Sequence, residues 1–156
     1  MSLKDKLEYI GYHVTKVIEY RGNTIVIARS GLEKMIFIEQ DIDNSVLRKL
    51  CEIALPLKVK IYTLNEKYQV ASIECSNVKP TRDIIRKIRL LDELAEGTTI
   101  PHLKSRYKYC GRAYIDLVKL INWLKSRKLL EQSGQTVKTK RPLTLDEKVE
   151  ILLKIL

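Results

Sequence analysis

The stretch Thr98 to Arg141, TTIPHLKSRYKYCGRAYIDLVKLINWLKSRKLLEQSGQTVKTKR, decides how the rest of this 156-residue chain is read. Leu117, Leu120, Ile121 and Leu124 recur at three- and four-residue steps, which puts them on one face of a helix from about Arg112 to Leu124. The opposite face offers Arg112, Asp116, Lys119 and Asn122, a polar strip whose long donors suit base edges and phosphates. Upstream, Thr98 or Thr99 can cap a short helix near Ile100 to Arg106, with Pro101 in its first turn where a missing N–H costs nothing. Tyr107 to Gly111 is the turn between the helices. Downstream, Leu129 to Gln132 and Gln135 to Lys140 flank Ser133-Gly134, a two-residue connection in which glycine supplies the positive φ of a tight hairpin.

Charge points the same way. Between Gly97 and Arg141 eleven lysines and arginines stand against two acids, a balance of +9 out of the chain's +10. Neutralising phosphates releases counterions and gives affinity without sequence reading, so a basic surface on such a motif implies a nucleic-acid partner. A charge run taken alone more often only solvates a surface.

These residues resemble the winged helix-turn-helix family. LVKLINWLKSRKLL looks like its recognition helix and following turn, EQSGQTVKTK like its wing, and RPLTLDEKVEILLKIL like its closing helix, together about the last half of the chain. One departure is Lys128, where regulators of this kind often carry glycine. The resemblance implies a double-stranded DNA-binding protein, a transcriptional regulator whose helix enters the major groove. Arg112, Lys119 and Asn122 would meet bases or adjacent phosphates, Gln135, Lys138 and Lys140 the flanking backbone, and Lys104 and Arg106 phosphate from the preceding helix. Lys108 and Arg141 complete the candidate set.

Outward from this module, RDIIRKIRLLDELAEG from Arg82 places Ile84, Ile88, Leu91 and Leu94 at helical spacing and stops at Gly97. Cys75 to Thr81, with a proline and small polar residues, reads as a linker, so the domains expected are 1–75, a linker 76–81, and 82–156. In the first domain, Lys4 to Tyr12 is a short helix ending at Gly11. His13 to Tyr20, Asn23 to Ala28 and Lys34 to Glu39 are strand-like runs rich in β-branched residues, an antiparallel meander. Asp43-Asn44-Ser45 supplies an N-cap for a helix from Val46 to about Ala54 that Pro56 ends, and Val59 to Leu64 and Tyr68 to Ile73 form a second strand pair. The fold class expected is α+β, an N-terminal α/β domain (αβββαββ) followed by a C-terminal winged helix-turn-helix domain.

The α-β-β-β-α-β order, with VIARSGLEKMIFIE in its middle, resembles the restriction-endonuclease-like or PD-(D/E)XK fold. Such enzymes carry an Asp at the second strand and Glu-x-Lys on the third, two carboxylates for Mg²⁺ and a lysine that positions water. Laid on this chain, the pattern puts Glu39 at the Glu slot, but the first acid slot falls on or near Ile25 and the lysine slot holds Asp41. The resemblance therefore implies a nuclease-like fold without its chemistry: no catalytic residues, cofactor or metal. The alternatives are a structure-selective nuclease, or relic of one, in repair or recombination, and an adaptor whose winged module binds protein. Glu39, Asp41 and Asp43 could converge on a metal ion, or be a solvated strand end and helix start where acids favour the dipole.

Three cysteines, Cys51, Cys75 and Cys110, form no C-x-x-C pair and are odd in number, which argues against a disulfide framework and a zinc site. Cys51 is expected as a small buried hydrophobe, with redox sensing by Cys110 the rarer option. No run reaches a membrane span, and MSLKDKLEYIGY lacks the apolar core of a secretion signal, so a soluble, cytoplasmic protein is expected. Apolar positions of the helix 144–156 exceed one face, which suggests a homodimer through that helix or packing within the chain.

Overall fold

A computed structural model describes the backbone of residues 1–107 and 113–156 and the side chains of residues 1–106 and 117–156. The chain is mixed α+β, with two sheets among the described residues, and divides into two compact units, Met1–Thr81 and Arg82–Leu156. No described helix is long and apolar enough to cross a membrane.

In the first unit, α1 (Leu3–Tyr9) starts at Ser2, whose hydroxyl accepts the Asp5 amide at 3.1 Å. β1 (His13–Tyr20) and β2 (Asn23–Ser30) are joined by Arg21-Gly22, both at positive φ (49° and 78°), as a two-residue hairpin of primed type requires. β3 (Glu33–Ile38) completes the antiparallel meander, with Ile25 opposite Ile38. The crossover α2 (Asn44–Leu57) brings β4 (Ile61–Leu64) parallel to β3, Phe37 opposite Tyr62, and β5 (Val70–Ser72) turns back antiparallel. One sheet in the order β1-β2-β3-β4-β5 results.

Both faces of this sheet are filled. Val26, Ala28, Met35, Phe37 and Leu64 form a cluster under Leu3 and Leu7 of α1. The alternating residues Ile25, Ile27, Ile36, Ile38 and Ile61 point the other way and are as fully buried, on the side the crossover helix covers with Val46, Leu50 and Ile53. That is why β2 and β3 read as continuous apolar runs rather than alternating ones.

Three expectations are corrected here. Pro56 lies inside α2, which runs on to Leu57 and ends where Lys58 turns left-handed (φ 57°). A proline in the last turn forfeits only its own bond, to the Glu52 carbonyl, so it does not have to end the helix. Cys51 and Cys75, 24 positions apart in sequence, are joined by a disulfide with Cα atoms 5.5 Å apart. Neither odd number nor spacing shows that α2 and the segment after β5 meet. Closing a loop of that size removes unfolded-state entropy, on the order of 3 kcal/mol. The expected N-cap Asp43 makes no side-chain cap bond; its carboxylate and amide instead bond Asn23 at the start of β2, both at 3.2 Å.

The second unit begins with α3 (Arg82–Glu96), which buries Ile84, Leu90, Leu91 and Leu94. Gly97 at φ +100° releases the chain into β6 (Thr98–Thr99), then α4 (Ile100–Tyr107), α5 (Ala113–Ser126), β7 (Leu130–Ser133) and β8 (Thr136–Thr139). The second sheet has the order β6-β8-β7, with Thr98 opposite Val137. Thr99 does both things its position allows: it pairs with Thr136 and its hydroxyl accepts the His102 amide at 3.3 Å. The hairpin loop is Gly134-Gln135, one residue later than Ser133-Gly134, because Ser133 pairs with Thr136 and Gly134 takes the positive φ (60°) at the first loop position. Lys128 takes a left-handed φ of 57°, so the turn after α5 is made with a lysine where glycine is the usual residue.

The last helix, α6 (Leu145–Glu150), starts with a full capping box between Thr144 and Glu147 and ends in one π-helical turn, Ile151–Ile155. Val149, Ile151, Leu152 and Leu153 are buried within the chain, while Leu145, Ile155 and Leu156 keep part of their surface open. In β8, Val137 and Thr139 point inward, and the Thr139 hydroxyl is buried without a hydrogen-bond partner. Thr139→Val keeps the shape and removes the stranded hydroxyl, so it is expected to raise stability by about 1 kcal/mol in urea unfolding. A loss on substitution would mean the hydroxyl is satisfied after all.

Candidate nucleic-acid interface

The candidate residues fall into distinct settings. Lys108 and Arg112, like Cys110, lie outside the described residues. Lys104 is exposed on α4. On α5 the inward side is Leu117, Leu120 and Leu124, while Val118, Lys119, Asn122, Lys125 and Ser126 are exposed. Gln135 sits in the hairpin loop, and Lys138 and Lys140 take the outward positions that alternate with Val137 and Thr139. The stem of Lys138 runs past Gly97, where a Cβ would sit 3.6 Å from its Cδ.

Arginines and lysines separate by what they touch. Arg106 pairs with Glu93 at 2.8 Å, and Arg127 reaches Glu150 at 3.3 Å while lying 4.3 Å over the Trp123 ring. Arg141 makes a two-pronged pair with Glu147 at 2.7 and 2.9 Å. By contrast Lys119, Lys125, Lys128, Lys138 and Lys140 are exposed and form no ion pair among the described residues. Among the described residues of α5 and the hairpin, positive charge outside an ion pair is therefore carried by lysine, a flexible point charge suited to phosphate. Lys125 and Lys128 escaped the candidate set although the i+3 step from Asn122 to Lys125 was visible in the sequence. Arg82, Arg86 and Arg89 are exposed on α3, before the basic run 97–141.

Glu147 reports on the same region. Burial alone would raise its pKa, but the bonds from Arg141 and from Thr144 outweigh burial and hold it below the ordinary carboxylate range. A depressed folded-state value means that Glu147 contributes stability above the unfolded-state range, about 4.3, and loses it as pH falls through the folded value. The melting-temperature gap between the wild type and Glu147→Gln is thus expected to be widest near neutral pH and to close below about pH 4. A gap that stays constant down to pH 2 would refute the assignment.

In the first unit the nuclease-like slots are occupied as follows. Ile25 is fully buried, and Thr24 before it donates to Glu19 at 2.9 Å. Glu39, Gln40 and Asp41 follow β3 and line a cleft of about 390 Å³ with Lys6, Asn65 and Glu66, at the carboxyl ends of the parallel pair β3 and β4. Among the described residues no group of three or more His, Cys, Asp or Glu is placed to hold a metal ion. Comparison with protein-family models, curated proteins and solved structures finds no match.

Proposed function

We propose that the chain is a non-catalytic double-stranded DNA-binding protein, a transcriptional regulator whose second unit is a winged helix-turn-helix module. The observation that carries this reading is the outward strip of α5, with Asn122 between Lys119 and Lys125, next to a hairpin whose outward residues are Lys138 and Lys140. The element order α3-β6-α4-α5-β7-β8-α6 and the sheet order β6-β8-β7 support it, since α4 and α5 then form the helix pair and β7-β8 the wing. Lysines on helix and wing grip phosphate, and polar side chains of α5 face the groove. The first unit has the α-β-β-β-α-β order of the PD-(D/E)XK resemblance and works as a structural or second DNA-contacting unit.

Binding of a labelled duplex across a salt series tests this. Affinity should fall steeply as salt rises, and Lys138→Ala should lower the log–log slope by about one while weakening all sequences alike. A flat salt dependence, or a retained protein complex with no duplex shift at low salt, removes the reading and favours the adaptor. Metal-dependent cutting of branched or linear DNA that Glu39→Ala abolishes would replace it with the nuclease.

A further inference from the structure

The outward strip of α5 has an order across it as well as a composition. At about 100° per residue, Lys119 lies about 60° to one side of Asn122 and Lys125 about 60° to the other. Val118 lies one turn earlier and only about 40° off the Asn122 line, with 41% of its surface exposed. A helix set with Asn122 foremost in a major groove about 12 Å wide sends its two lysines toward opposite phosphate walls and its amide toward the base edges.

The chemistry of that foremost position is selective. An asparagine amide carries an acceptor beside a donor, the match to the N6 and N7 edge of adenine. Val118 offers methyl groups on the same line, the match to the C5-methyl of thymine. Guanine is most often read by an arginine fork; Arg112 lies outside the described residues, and of the described arginines from α4 onward, Arg106, Arg127 and Arg141 are engaged with Glu93, Glu150 and Glu147. Among the described residues of α5 none is an arginine. From this geometry we infer that the module prefers A·T base pairs where α5 meets the groove, with Asn122 reading adenine and Val118 an adjoining thymine methyl.

This inference rests on the DNA-binding reading, and one experiment separates their fates. The full chain is used to select duplexes from a pool with a randomised centre, in parallel with Asn122→Ala and Val118→Ser; both positions are exposed, so melting curves should match the wild type. Expected is an A·T-enriched centre for the wild type, adenine discrimination lowered about tenfold in Asn122→Ala, and an unchanged salt slope. Exchanging thymine for uracil in the selected site should weaken the wild type and leave Val118→Ser indifferent. A G·C-enriched centre, or adenine preference that survives Asn122→Ala, overturns the inference while duplex binding stands. No retention of any duplex at low salt overturns both.

Discussion

Phe37→Ala is expected to lower the unfolding free energy of the first unit by about 3–5 kcal/mol, the range for emptying a fully buried aromatic site. Phe37 has no exposed surface and lies on β3, between β2 and the parallel β4. Tyr12 meets its ring edge-on at 5.0 Å between centroids and Tyr62 lies at 5.7 Å, so alanine leaves a hole walled partly by rings that strand pairing prevents from closing. The same cluster holds α1, which at seven residues is too short to persist on its own and depends on Leu3 and Leu7 finding that surface. Urea unfolding followed by tyrosine fluorescence measures the loss, and a cost under 1 kcal/mol would mean that the cluster collapses around the gap.

The second large effect concerns the free lysines. Replacing Lys119, Lys125, Lys138 and Lys140 together with alanine should reduce the salt slope of duplex binding by about 3–4 and the affinity at 0.1 M salt on the order of a thousandfold. Arg106→Ala with Arg141→Ala should do less per charge, because those guanidiniums already answer Glu93 and Glu147 and bring little unneutralised charge to a phosphate. Equal losses per charge from the two sets would show that the intramolecular pairs open on binding, as solvent-screened pairs can.

What could be read from sequence followed burial and glycine. β1, β2 and β3 announced themselves because both sheet faces are filled and Arg21-Gly22 and Gly31 punctuate the runs. The inward face of α5 was legible from Leu117, Leu120 and Leu124. β6 was not, since two threonines carry no period and become a strand only by pairing with β8. Pairings across distance were equally hidden: Arg106 with Glu93, Arg127 with Glu150 and Cys51 with Cys75 depend on which elements the fold brings together. For the candidate interface the residue types were legible, while the ion pairs of Arg106, Arg127 and Arg141 depend on the fold that brings their partners close.

The Cys51–Cys75 bridge matters for how the first unit would bear a pull. The unit ends at Thr81, after Cys75, and the preceding β5 is a three-residue edge strand with every side chain exposed, the piece most easily unzipped from that end. With the bridge in place, tension arriving from residue 82 onward is handed to α2 at Cys51 before it reaches β5. Under a pull from that side the sheet would thus stay intact for as long as that one covalent stop remains.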